Sequence, residues 1–110
     1  MKPLYPLKDV KLRVQNNLCE FSNGALFNAN RFYGWGPKEM KKCLLRLNDR
    51  YYSSNPQMNH FHKTDNRKNA PLVKMDFYKM ENAPEGNNVY THLYIHPDSN
   101  MLIVDSFKEI

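Results

Sequence analysis

"NVYTHLYIHPDSNMLIVDSF", residues 88–107, sets Tyr90, His92, Tyr94 and His96 at alternate positions against Val89, Thr91, Leu93 and Ile95. A period of two is the mark of a strand, because successive side chains leave opposite faces of the pleat. A second apolar run, Met101 to Phe107, follows after "PDSN", so the stretch reads as an antiparallel hairpin with its loop at Pro97–Asn100, closed by His96 opposite Met101. That register places Ile95 opposite Leu102 and Leu93 opposite Val104, two apolar pairs facing a core. It also sets His92 opposite Asp105 and Tyr90 opposite Phe107.

"PLVKMDFYKM", residues 71–80, supplies a third alternating strand, with Val73, Met75 and Phe77 against Lys74, Asp76 and Tyr78. Pairing Met75 with Leu93 matches the apolar faces and brings Asp76 to the other side of His92. The outer face then reads Lys74, Asp76, Tyr78, Tyr90, His92, Tyr94, Ile103, Asp105 and Phe107. A histidine between two carboxylates is expected to have a raised pKa, since nearby negative charge favours the imidazolium. Near neutral pH such a group can act as a general acid or offer a cation to a phosphate. The same residues also suit a solvated sheet face whose pairs avoid like charges.

Upstream, Val10, Leu12 and Val14 alternate with Lys11 and Arg13, which predicts a half-buried N-terminal strand. "LCEFSNGALFN" follows, and its Asn23-Gly24 suits a type I′ hairpin turn, with Ser22 as cap of a short helix the alternative. The clearest helix starts in "GWGPKEMKKCLLRLNDRYY", where Pro37 fits the first turn and Glu39 favours the positive end of the dipole. Met40, Cys43, Leu44, Leu47 and Tyr51 recur at helical spacing as its buried stripe. Lys38, Lys41, Lys42 and Arg46 lie on its other sides, either as a solvated face or as a phosphate-facing one. Trp35, between Arg31 and Lys38, reads as an aromatic plug at the helix entrance or as part of a stacking patch.

Residues 53–70, "SSNPQMNHFHKTDNRKNA", lose all periodicity and read as a long basic loop carrying His60, His62, Lys63, Arg67 and Lys68 against Asp65. The whole is an α+β chain, a small single domain over 1–110. An antiparallel sheet, built from an N-terminal strand and hairpin and a C-terminal three-strand meander, carries one main helix on one face.

Net charge is +5 and the pI about 9.3, which favours anionic partners. Cys19 and Cys43 have no CxxC partner and no signal peptide precedes them, so both read as reduced, packed thiols of a cytosolic protein. Fourteen Asn, and eleven Lys to five Arg, point to an AT-rich coding genome such as a phage's, which makes an infected host's cytosol a second possible compartment. No stretch is apolar enough to span a membrane. His92 and His96 would lie roughly 13 Å apart on a strand, too far to share a metal, and "HFH" at 60–62 has no further ligand spaced beside it. No metal or cofactor is expected, since no phosphate-cradling glycine loop or nucleophile motif occurs.

Three functions fit. The first is a non-catalytic binder of RNA or single-stranded DNA, stacking bases on Tyr78, Tyr90 and Tyr94 while Lys38, Lys41, Lys42, Arg46, Lys74 and the basic loop hold phosphates. The second is a phage-type interaction or inhibitor protein seated on an acidic host protein surface. The third is a metal-independent endoribonuclease using His92 with Asp76 or Asp105, a loop histidine and Lys74.

Overall fold

A computed structural model describes residues 2–53 and 61–109. Three helices come first: α1 (Leu7–Gln15), α2 (Asn23–Tyr33) and α3 (Pro37–Leu44), with the short strand β1 (Cys19–Phe21) between α1 and α2. A 3-10 turn, Asp49–Tyr51, follows, and then β2 (His62–Lys63), β3 (Leu72–Val73), β4 (Asp76–Ala83), β5 (Asn87–Ile95) and β6 (Leu102–Glu109). β4, β5 and β6 form the expected antiparallel meander, and β1 adds to it parallel to β6, giving the order β1-β6-β5-β4. β2 and β3 form a separate hairpin. The α+β class stands, but with three helices among the described residues rather than one, and with a mixed sheet rather than a purely antiparallel one.

The N-terminal strand is corrected to helix α1. Val10 and Val14 are buried and lie one helical turn apart, whereas Leu12, which a strand would bury with them, is half exposed. Asp9 in the first turn and Arg13 in the last complement the helix dipole. Arg13 also donates to the Asn100 carbonyl and side-chain oxygens, each at 2.8 Å, tying α1 to the loop of the β5–β6 hairpin. The Asn23-Gly24 hairpin is corrected likewise. Ser22 caps α2, its Oγ accepting the Ala25 N–H at 3.0 Å, and Gly34 ends the helix at φ 70°, a left-handed conformation that favours glycine. With α2 starting directly after it, β1 has no following strand to hairpin with and pairs instead with β6.

α3 starts as the sequence predicts but ends at Leu44, so Arg46 and Leu47 follow it and Tyr51 is half-buried in the 3-10 turn rather than on the helix. Met40, Cys43, Leu44 and Leu47 are buried, and the Gly36 N–H donates to Glu39 Oε1 at 3.3 Å. Trp35 is the aromatic plug, buried with its ring 4.7 Å from Tyr33 and 6.1 Å from Phe107.

The main core joins these helices to one face of the sheet through Tyr78, Met80, Val89, Leu93, Leu102, Val104 and Phe107. The opposite face is also packed: Val73, Met75, Phe77, Tyr90 and Tyr94 form a second cluster flanked by Tyr5 and Ile103. The segment 53–70 is not patternless where it is described. His62 and Lys63 pair with Val73 and Leu72, the Thr64 N–H donates to the Pro71 carbonyl at 3.0 Å, and Arg67 bonds Asp65.

Candidate anion-binding surface

The hairpin register is as expected at its loop end, with Leu93 opposite Val104, Ile95 opposite Leu102, and the His96 N–H donating to the Met101 carbonyl at 2.8 Å. Beyond Leu93 it shifts by one. A bulge makes Asp105 the extra residue of β6, so His92 faces Ser106 and Tyr90 faces Lys108. Ser22 Oγ donates to the Asp105 carbonyl at 2.7 Å, giving the bulged backbone a partner outside the sheet. On the other side β4 also sits one residue from the expected register, with Asp76 opposite Leu93 and Phe77 opposite His92.

These two shifts take both carboxylates away from His92. Asp76 turns to the helix-covered side and is fully buried, accepting the Leu4 and Tyr5 N–H groups at 3.0 and 2.8 Å. Burial pushes its pKa up, and those two backbone bonds and one from Tyr52 counter only part of that push. Asp76 fastens the N-terminal arm to the start of β4. His92 is packed between the rings of Phe77 and Tyr90, at 4.2 and 4.8 Å. Its pKa is lowered to about 4 by burial, then by the positive charges of Lys108 and His62, the reverse of the raised value expected from flanking carboxylates. The ribonuclease reading thereby loses the acid–base pair on which it was built.

The tyrosine platform is corrected too. Tyr78 lies on the helix side and is fully buried, while Tyr90 and Tyr94 expose only 6% and 4% of their surface within the second cluster. Rings so covered have no open face for a base to stack on.

The basic residues are better placed. The three helices hold seven Lys and Arg (Lys8, Lys11, Arg13, Arg31, Lys38, Lys41 and Lys42) against Asp9 and Glu39 alone, an excess of five. The nine cations outside the helices are matched by nine carboxylates, so the helical layer carries the whole net charge of +5. Lys38, Lys42 and Arg46 are exposed, and Lys41 donates to Asn17 Oδ1 at 2.6 Å, where the end of α1 meets α3. The sequence reading found the α3 half of this surface. It missed Lys8, Lys11 and Arg13 because their segment reads equally as a strand; Leu7, Val10 and Val14 at helical spacing are the signal that would have placed them.

The loop residues do not join this layer as a unit. His60 lies outside the described residues. His62 and Lys63 stand on β2, Arg67 is engaged with Asp65, Lys68 is exposed, and the Lys74 ammonium sits 5.0 Å over the Phe61 ring. Large apolar side chains are also exposed on or beside the helices, at Leu12, Leu18, Phe27, Phe32 and Leu45.

Cys19 and Cys43 are free thiols, raised by burial to about 11 and about 12, and Cys43 Sγ lies 3.7 Å from Met80 Sδ. Thiols held so far above neutrality carry little thiolate and make poor nucleophiles or metal ligands. Among the described residues no three His, Cys, Asp or Glu side chains gather as a metal-ligating group, and no helix is long and apolar enough to cross a membrane. Compared with known protein families, curated proteins and solved structures, the chain matches none of them.

Proposed function

We propose that this is a small binding protein, not a catalyst, and that its helical layer engages an anionic macromolecule, with the phosphate backbone of RNA or DNA the leading partner. One observation carries the reading: the entire net charge lies on three helices that pack together against one sheet face. Cations gathered on one layer, with few carboxylates among them, neutralise phosphates and release counterions, which supplies affinity without sequence preference. The buried tyrosines lend no support to base stacking, so the contacts proposed are to phosphate.

Binding of labelled RNA, single-stranded DNA and duplex, followed across a range of salt, tests this directly. Affinity should fall steeply with salt and vary little with sequence. The combined change Lys41→Glu, Lys42→Glu and Arg46→Glu should weaken it broadly and flatten the slope, by about 0.7 to 0.9 for each phosphate contact removed. Salt-insensitive binding, or none, would remove nucleic acid as the partner.

A second reading has its own support. Leu12, Leu18 and Leu45 are exposed on the same layer as the cations, and phosphate has no use for exposed leucines. An acidic protein surface with apolar anchors, such as a host protein bound by a phage product, would use both.

A further inference from the structure

Away from the sheet–helix core, the 3-10 turn Asp49–Tyr51 runs beside the outer edge of β4, bridged to it by Tyr52 and Tyr78. Between them opens a cleft of about 440 Å³ lined by Arg50, Tyr51, Lys79 and Glu81. We propose that this cleft is a nucleotide site, and that its ligand is a guanine mononucleotide.

The lining is mixed in charge, and that selects the ligand class. Arg50 and Lys79 favour an anion, yet Glu81 stands with them and repels a bare phosphate or an acidic peptide. A simple cation meets the opposite obstacle. A ligand that satisfies all three has an anionic group at one end and N–H donors at the other. Lys79 and Glu81 are two residues apart on one strand, so they project from the same face roughly 7 Å apart. Extended Lys79 and Glu81 side chains widen that span toward the longer reach from the phosphate of a nucleotide to the donor edge of its base.

The aromatic and guanidinium groups narrow the choice further. The Arg50 guanidinium lies 5.1 Å over the Tyr51 ring and donates to Tyr51 Oη at 3.2 Å, which ties it to that side chain. A guanidinium is planar, so it can stack on a base, and it has further N–H donors for a phosphate. Lys79 is held near the Tyr90 ring at 5.9 Å, with Lys108 at 5.4 Å from the same ring, so the anion end sits in a locally positive field. Guanine offers two adjacent N–H donors on one edge, matching the two oxygens of Glu81. Adenine offers an N–H beside an acceptor and leaves one oxygen unmatched.

Calorimetric and NMR titration with guanosine monophosphate, guanosine, inorganic phosphate and adenosine monophosphate tests the assignment. Guanosine monophosphate should shift the amides of Arg50, Tyr51, Lys79 and Glu81, and each of the other three should bind about tenfold more weakly or less. Lys79→Ala should lower its affinity about tenfold while leaving guanosine unchanged, and Glu81→Gln should abolish the preference over adenosine monophosphate. Both residues are exposed, so melting temperatures should hold. No shift at the four amides at millimolar ligand, phosphate binding as tightly as the nucleotide, or unaltered affinity in Lys79→Ala would each overturn the proposal. The Lys41→Glu, Lys42→Glu, Arg46→Glu protein should keep its nucleotide affinity. Loss there would move the ligand to the helices and overturn the cleft, whereas lost nucleic-acid binding with the nucleotide retained by wild type bears on the helical reading alone.

Discussion

His92 lies against Phe77, its cross-strand partner, with the ring centroids 4.2 Å apart and the planes at 60°. The contact records the register of β4, since Asp76 beside His92 would have required a different residue there, and the bulge at Asp105, which sets Ser106 opposite His92, records the shift on the other side. It also explains why the sheet face that looks polar in sequence is a second core. Phe77, Tyr90 and Tyr94 bury their rings there, with Val73 and Met75 beside them.

The first prediction is the titration of that imidazole. Burial and the charges of Lys108 and His62 lower its folded pKa from 6.5 to about 4, so the folded chain holds this proton less tightly than the unfolded chain. The stability linked to His92 is therefore fully present above about pH 6.5 and is lost as pH falls through about 4. Ring proton shifts followed by NMR should show a midpoint near 4, and His92→Leu should flatten the acid side of the stability profile. A midpoint at or above 6.5 would mean that His92 is solvated or paired with a carboxylate.

The second concerns Asp76. Asp76→Ala removes the acceptor of the Leu4 and Tyr5 N–H groups and should cost about 1–3 kcal/mol, the penalty for leaving such donors without partners. Amide exchange at Leu4 and Tyr5 should rise ahead of global unfolding. The pH sign is opposite to that of His92. A carboxyl raised above its ordinary 3.8 binds its proton more tightly when folded, so its contribution is greatest below 3.8 and declines as pH rises through the folded value. The cost of Asp76→Ala should accordingly be larger in acid than at neutral pH. An equal cost at both would place Asp76 in solvent.

Ser22 carries the third prediction, because it serves two elements. Its Oγ accepts the Ala25 N–H at the start of α2 and donates to the carbonyl of the bulged Asp105. Ser22→Ala should destabilise by about 1–2 kcal/mol, at the upper part of the range for helix caps. Denaturant midpoints for Ser22→Ala and Ser22→Asp would separate the two bonds: aspartate keeps the cap but cannot donate to Asp105. If Ser22→Asp were as stable as wild type, the bond to the bulge would contribute nothing.

These residues also show how far the sequence could be read. α3 was legible because Pro37, Glu39 and the stripe from Met40 to Leu47 agree on one period. The loop end of the β5–β6 hairpin was legible because pairing Leu93 with Val104 and Ile95 with Leu102 sets core positions against core positions, which a shift of one residue would not. α1 was not, since Val10, Leu12 and Val14 satisfy a period of two as well as Val10 and Val14 satisfy a helical turn, and only the tertiary packing on α3 and β6 decides. The bulge was invisible for another reason. Its partner, Ser22, is 83 residues away in sequence and directly follows β1, whose parallel pairing with β6 no local signal announces. Because side chains alternate, that single extra residue moved Phe107 from the predicted outer face into the core and took Asp105 out of line with His92.

The last prediction separates the two partners proposed for the helical layer. Leu12 and Leu45 are 50% and 36% exposed, and replacing both with Ser removes apolar surface without touching a charge. Side chains this exposed contribute little to the core, so stability should change by less than about 0.5 kcal/mol. Contacts to phosphate depend on the cations, so if the partner is nucleic acid the double variant should bind as wild type does, with the same salt slope. If the partner is an acidic protein, truncating central apolar contacts should cost about 1–2 kcal/mol and act mainly on the dissociation rate. Charge reversal at Lys42 and Arg46 should slow association in that case, and its effect should fade at high salt. Measuring both rate constants for wild type and the two variants assigns the partner class: a leucine effect on dissociation favours protein, and its absence beside a strong charge effect favours phosphate.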